Sequence, residues 1–299
     1  MKTASINALP RKILSMVLWF CMSILVCIVS SRTVVGGEND NFYFETLQKR
    51  LIKDGFDSRT ITELYSHPKV SFEKKGVTLF LAHREAKLNY NQFVASGMIK
   101  KARQYMKTHE SVLRETEKNY GVDQEVITAI ILVETQLGAI LGGPFILNTL
   151  STMAALADPD VKERFWEELS HSKQIERKNY EQWVKKKSNW AYKELKAFLE
   201  YTSNEKMDPL DIKGSYAGAM GIAQFMPSNI NVFAKDGNAD GSVNLFNHSD
   251  AIASVANYLK HYGWRPGIDG KKAYRVILRY NYSGPYAKTV LKISRLLKG

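Results

Sequence analysis

Beyond Cys27 the sequence has no cysteine, and the only two in 299 residues, Cys21 and Cys27, both fall in an apolar stretch near the N-terminus. Everything after residue 31 therefore lacks a disulfide, a thiol nucleophile and a thiolate metal site. Strand-like alternation is scarce, and there is no internal repeat and no long low-complexity tract, so the expected fold is mainly α. Acids are missing from the start of the chain: none precedes Glu38. Helical periodicity, by contrast, is present almost throughout.

MKTASINALPRK is basic and is followed by an uncharged apolar run from Ile13 to Ser30, the pattern of a secretory signal or an uncleaved signal anchor. Residues 1–37 are therefore expected to form that signal and a short linker, exporting the rest of the chain or anchoring it to a membrane through the N-terminal segment. Cys27 follows aliphatic residues, but Val26 is larger than the small residue that usually precedes a lipidated cysteine. Four of the 42 cationic residues and none of the 30 acids lie before Glu38, leaving residues 38–299 at +8. That balance suits a polyanionic partner. Export favours the wall or an anionic membrane over nucleic acid. The cations come in pairs and triplets among acids, the pattern of a solvated face.

From Phe42 to about Asn119 the chain reads as successive amphipathic helices, with HPKVSFEKKGVTLF irregular or extended between them. An apolar helix follows, then a second after a Gly-Gly-Pro break, then surface helices over 160–201. The glycine-rich GSYAGAMGIAQFMPS comes next. Further helices are expected from Asp250 to Tyr262 and as a final pair over Lys271–Leu297, interrupted at NYSGP.

Two segments carry chemistry. ITAIILVETQLGAILGG, residues 127–143, places Glu134 in the last turn of an apolar helix expected to run from Gln124 to Leu137, with Asp123 as N-cap and Gly138 beyond the end. Apolar neighbours and the negative end of the helix dipole both raise a carboxyl pKa. Such a group suits a general acid, although a salt-bridged glutamate fits the same pattern. The second segment is DGNADGSVNLFNHSD, residues 236–250. Its opening matches the first half of an EF-hand loop: Asp236, Asn238 and Asp240 supply side-chain oxygens, Gly241 the turn and Ser242 a carbonyl. Asn247 stands where a bidentate glutamate normally closes the loop, and Asp250 could close a lengthened one.

ILVETQLG, KGSYAGAMGIAQFMPS and DGNADGSVNL in this order resemble the lytic murein transglycosylase B family, over a span from about Phe42 to the C-terminus. The resemblance implies a lysozyme-like catalytic domain, about 120–299, with a helical N-terminal region, about 42–119, and the lengthened EF-hand-like loop holding structural Ca2+ without an organic cofactor. It implies cleavage of peptidoglycan between N-acetylmuramic acid and N-acetylglucosamine with a 1,6-anhydro product. Glu134 takes the catalytic position of the family motif. Ser215, Gln224, Phe225, Tyr258, Tyr280 and Asn281 match substrate-binding positions, and the metal positions are Asp236, Asn238, Asp240, Ser242 and Asp250. Gly218 and Gly221 are expected to permit close backbone approach. Gln136-Leu137 and Ile222-Ala223 depart from the family pattern and bear on the groove.

Two alternatives stay open on sequence. A muramidase would hydrolyse the same bond with water and needs a second carboxylate, for which Asp208 and Asp211 are the nearest candidates by family spacing. A non-catalytic, calcium-stabilised wall-binding protein would not require both Glu134 and the block from Ser215 to Pro227.

Overall fold

The computed structural model describes residues 41–82, 89–170 and 175–299. The apolar segment 13–30, both cysteines and the expected signal lie outside the described residues. Thirteen α-helices occur among the described residues, and no strand; three isolated antiparallel bridges join Phe145 to Lys213, Gly214 to Met220 and Met220 to Phe225. In order the helices are α1 (Asn41–Lys53), α2 (Ser58–Ser66), α3 (Lys74–Ala82), α4 (Ser96–Thr108), α5 (Glu110–Tyr120), α6 (Gln124–Thr135) and α7 (Ile146–Ala155). They continue with α8 (Pro159–Ser170), α9 (Arg177–Asn204), α10 (Pro227–Phe233), α11 (His248–His261), α12 (Gly270–Tyr280) and α13 (Gly284–Lys298). A 3-10 turn at Tyr90–Val94 precedes α4.

The centre is α6, whose residues from Val126 to Leu132 are fully buried. A helix apolar on every side must be surrounded, and α4, α5, α11 and α13 all pack on it. A second buried helix, α7, is covered by α1, α3 and the 28-residue α9. The helices expected on the surface over 160–201 are thus only partly so. α9 buries Tyr180, Leu195 and Phe198, because its apolar residues recur on the face toward α7. VTLF, expected to be irregular, is helical in α3. The helix expected through MKTHESVL breaks at His109, whose backbone leaves helical geometry at φ −108°, ψ 26°. Asp40–Gly299 form one compact unit.

The loop after α6 runs back against the start of the glycine-rich block. Gly142 has φ +105°, and a Cβ there would lie 2.0 Å from the carbonyl oxygen of Gly214. Gly143, its neighbour, has open space at the same position. Gly142→Ala is therefore expected to lower the thermal unfolding midpoint by about 5–10 °C, against a change of at most about 2 °C for Gly143→Ala. Equal midpoints for the two variants would show that this contact does not hold the loop.

Candidate active site

The end of α6 carries the carboxyl group to the surface of the core. Glu134 is half-buried in the last turn, one residue before the helix ends at Thr135. The end comes two residues earlier than the sequence indicates. Gln136 and Leu137 turn back in the left-handed region at φ 50° and 66°, a strained conformation for side chains without local hydrogen-bonding groups at the backbone. Asp123 does occupy the N-cap, but its carboxylate makes no capping bond; it accepts instead from Trp264 Nε1 at 3.0 Å and Lys298 Nζ at 2.5 Å.

Thr135, next to Glu134, fastens α6 to the glycine-rich block. Its buried hydroxyl donates to the Ile222 carbonyl at 2.9 Å and accepts from the Gly138 amide at 3.0 Å. Gln224 makes a second link, with Nε2 3.3 Å from the Leu141 carbonyl and 3.0 Å from that of Gly221. The block itself is a tight turn. Ser215 Oγ accepts from the amides of Ala217 and Ala219 at 3.2 and 3.0 Å, so it caps its own loop. A Cβ on Gly218 or Gly221 would meet Leu150 or Leu245, each at 2.6 Å, in line with close backbone approach. At the end of the block Glu194, buried on α9, receives the Ser228 amide and hydroxyl, both at 2.9 Å, and caps α10.

A tyrosine that sequence reading missed makes the direct contact with Glu134. Tyr286 donates its hydroxyl to Glu134 Oε1 at 2.6 Å. The signal was available in SGPY: Ser283 caps α13 and Pro285 sits in its first turn, which fixes Tyr286 at the third helical position. Tyr280 lies close enough for the Glu134 charge to act on it and donates to the Ala223 carbonyl at 2.5 Å. Asn281 is half-buried at the end of α12, its carbonyl accepting from the Ser283 amide at 2.7 Å.

Phe225 and Tyr258, expected to line the cleft, are core residues here at 2% and 5% exposure. Phe225 packs against Tyr258 and Tyr280 with ring centroids 5.7 and 5.8 Å apart, and Tyr258 donates to the Arg279 carbonyl at 2.5 Å. They form the wall behind Tyr280, because an aromatic ring held on several sides by other rings is worth more buried than offered to solvent. Asp208 and Asp211 are exposed and engaged elsewhere. Asp208 accepts from the Leu210 amide at 2.8 Å and lines a cavity of about 750 Å³ between α2 and the end of α9; Asp211 pairs with Lys69 at 2.5 Å.

In the acidic loop, Asp236 accepts from the amides of Asp240 and Gly241 at 3.2 and 2.8 Å, and Asp240 from Ser242 at 2.9 Å. Asn238 Nδ2 donates to Asp240 Oδ2 at 2.7 Å. Asp250, fully buried, accepts the amides of Gly237 and Asn244 at 2.9 and 2.7 Å. Asn247 caps α11, its side-chain oxygen accepting from the Ser249 amide at 2.8 Å. Burial pushes the Asp250 carboxyl up, the charges of Asp236 and Asp240 push the same way, and the two amides oppose them. A hard, oxygen-only donor set with crowded negative charge fits a calcium ion. The tightest acidic triad among the described residues lies elsewhere: Glu117, Asp123 and Glu125, with oxygens within 4.8 Å of one another, at the opposite end of α6 from Glu134.

A helical core whose apolar central helix ends in a carboxyl group, clasped by a glycine-rich turn, places the chain in a known class: residues 39–271 match the family described as Transglycosylase SLT domain, and the chain belongs to it. It is 31% identical over 236 residues to the membrane-bound lytic murein transglycosylase B of Escherichia coli K12, a match covering 74% of this chain and 57% of that protein, so it spans little more than half of that relative's length. Among solved structures it shares the lysozyme-like fold of the E. coli lytic transglycosylase Slt35 in complex with calcium (TM-score 0.69, 25% identity, 88% of this chain and 93% of that one). The fold also matches SltB3 from Pseudomonas aeruginosa in complex with NAG-NAM-pentapeptide (TM-score 0.69, 20% identity, 88% and 80% covered).

Burial holds the hydroxyls of Tyr280 and Tyr286 well above the usual tyrosine range, and the negative charge of Glu134 adds to it. Folding thus favours their neutral forms. The stability they contribute is whole below the unfolded value of about 10 and is lost as pH rises toward the folded values. The denaturant midpoint is expected to fall between about pH 10 and pH 12, and less steeply in Tyr286→Phe. A variant with the same alkaline slope as the wild type would remove Tyr286 from that account.

Proposed function

We propose that this protein is a peptidoglycan lytic transglycosylase that cleaves the β-1,4 bond between N-acetylmuramic acid and N-acetylglucosamine, leaving 1,6-anhydro ends. The observation that carries this reading is Glu134, at the end of a buried helix within the residues that the family match spans, hydrogen-bonded at 2.6 Å by Tyr286 from the first turn of α13. Glu134 as the acid gives its proton to the glycosidic oxygen as the bond to C1 breaks. As the carboxylate it then takes the proton of the muramic C6 hydroxyl while that oxygen closes on C1, and no water is consumed. Tyr286 keeps the carboxyl group in register through both transfers. Tyr280 and the aromatic wall hold Tyr286's surroundings dry, while the hydroxyl proton of Ser215 and the side-chain oxygen of Gln224 on the turn, and Asn281 at the end of α12, meet the sugar substituents. One carboxylate suffices because the nucleophile belongs to the substrate. Hydrolysis by water would call for a partner acid, and Asp208 and Asp211 are committed to the Leu210 amide and to Lys69.

The acidic loop is proposed to hold a structural Ca2+ through Asp236, Asn238, Asp240, the Ser242 carbonyl and Asp250, tightening the segment that leads into α11. Export to the periplasm or envelope remains part of the proposal. It rests on the N-terminal pattern and on the relative named membrane-bound; among the described residues no helix is long and apolar enough to cross a membrane.

Digestion of purified peptidoglycan followed by mass spectrometry is expected to yield anhydromuropeptides with the wild type and about 10²–10⁴-fold less with Glu134→Gln. Tyr286→Phe is expected to lower kcat about tenfold with KM within about twofold, the signature of a group acting on the catalytic carboxyl. Products with reducing ends would move the assignment to a hydrolase. For the loop, chelation is expected to lower the thermal midpoint by about 5 °C, reversed by added calcium. An Asp236→Asn/Asp240→Asn variant that still responds to calcium would overturn the ligand assignment.

A further inference from the structure

The positive charge is solvated, as the sequence pattern implied, but it is not evenly scattered. α13 packs between α4 and α12, and none of these three helices contains an aspartate or glutamate. α4 carries Lys100, Lys101, Arg103 and Lys107; α12 carries Lys271, Lys272, Arg275 and Arg279; α13 carries Lys288, Lys292, Arg295 and Lys298, and all twelve are exposed. Without them residues 38–299 hold 26 cations against 30 acids, so the net positive charge of this region resides wholly in these three helices.

On each helix the cations recur at the spacing of one face: Lys100, Arg103 and Lys107 on α4, Lys271, Arg275 and Arg279 on α12, Lys288, Lys292 and Arg295 on α13. Of these twelve cations only Lys272 and Lys298 form salt bridges to described residues, to Asp269 at 3.1 Å and Asp123 at 2.5 Å. Arg103 donates to the Leu296 carbonyl at 2.7 Å and stitches α4 to α13. Gathered like charges repel and weaken the folded state, whereas Arg177 is met by both Glu163 and Glu181. Packing gives no reason for the arrangement; a partner does.

We propose that this surface docks the carboxylates of the peptide stems on the wall polymer, anchoring the protein on it. The inference rests on peptidoglycan being the substrate. The same helices carry Tyr280 and Tyr286 on their inner faces and the cations on their outer faces, so the surface backs the site without lining it. Its cations are spread along helices without a broad apolar band: on α13 only Leu296 is an exposed large apolar residue, at 39%. That pattern matches an anionic polymer better than a bilayer, where an interfacial helix buries a whole apolar face. Screening acts within about 10 Å, so the surface works at contact with the polymer and weakens with salt.

The test is co-sedimentation of the full chain with peptidoglycan sacculi in the Glu134→Gln background, so that the polymer stays intact and binding is read apart from cleavage. Lys288→Gln/Lys292→Gln/Arg295→Gln is compared with Lys49→Gln/Lys53→Gln/Lys193→Gln, which removes equal charge from other exposed positions. Circular dichroism establishes that each variant is folded. The first set is expected to bind native sacculi about fivefold more weakly at low salt, with the second set near the parent. The parent is expected to weaken alike on sacculi whose carboxylates have been converted to methylamides. Equal losses in the two sets, or undiminished binding to blocked sacculi, would overturn the proposal. So would unaltered sacculus binding combined with lost binding to phosphatidylglycerol vesicles, which would assign the surface to lipid. Charge-dependent binding by a protein whose wild type releases no anhydromuropeptides would leave the docking surface standing and remove the transglycosylase reading.

Discussion

Thr135 joins two pieces of chain that are distant in sequence and have little else in common. One side of it is the apolar helix that carries Glu134; the other is the glycine-rich turn that begins at Ser215. Its hydroxyl serves both sides at once, donating to Ile222 and accepting from Gly138. A buried hydroxyl with both functions used is costly to disturb, because its partners would be left without a bond in a region that water does not reach. The left-handed turn at Gln136 and Leu137 is held by the same connection. The position of the carboxyl group, the path of the loop over Gly142 and the seating of the turn are thus a single constraint.

Around that constraint the aromatic residues divide the work. Tyr286 touches the carboxyl group, Tyr280 is tied to the backbone of the turn at Ala223, and Phe225 and Tyr258 stand behind them. Mutual contact among rings fixes their orientation more firmly than contact with aliphatic side chains would. The proton transfers proposed for Glu134 need a surrounding that does not rearrange between the two charge states, and a wall of this sort would supply it.

Much of this was legible in the sequence where the cause is local. An acid alone in an apolar helix, glycines at fixed intervals and an Asp/Asn loop are short-range patterns, and the structure places Glu134 in the last turn of its helix and folds the glycine block and the acidic segment as tight turns. The rest depends on tertiary packing. Nothing within VANYL says that Tyr258 faces inward, and Tyr286 meets Glu134 only because α13 lies along α6. The burial of α9 and the helical form of VTLF likewise follow from neighbours, which override local preference. The charge pattern is the clearest case: in sequence the cations of α4 lie far from those of α12 and α13, and only packing brings them side by side.

Asp250 stands at the first turn of α11 and closes the acidic loop through the amides of Gly237 and Asn244. Two turns further along the same helix, Tyr258 braces Tyr280. The helix therefore acts as a lever with the loop at one end and the aromatic wall at the other. An ion that neutralised the crowded acids of the loop, as proposed, would set how firmly that helix is anchored, and through it the packing around Glu134.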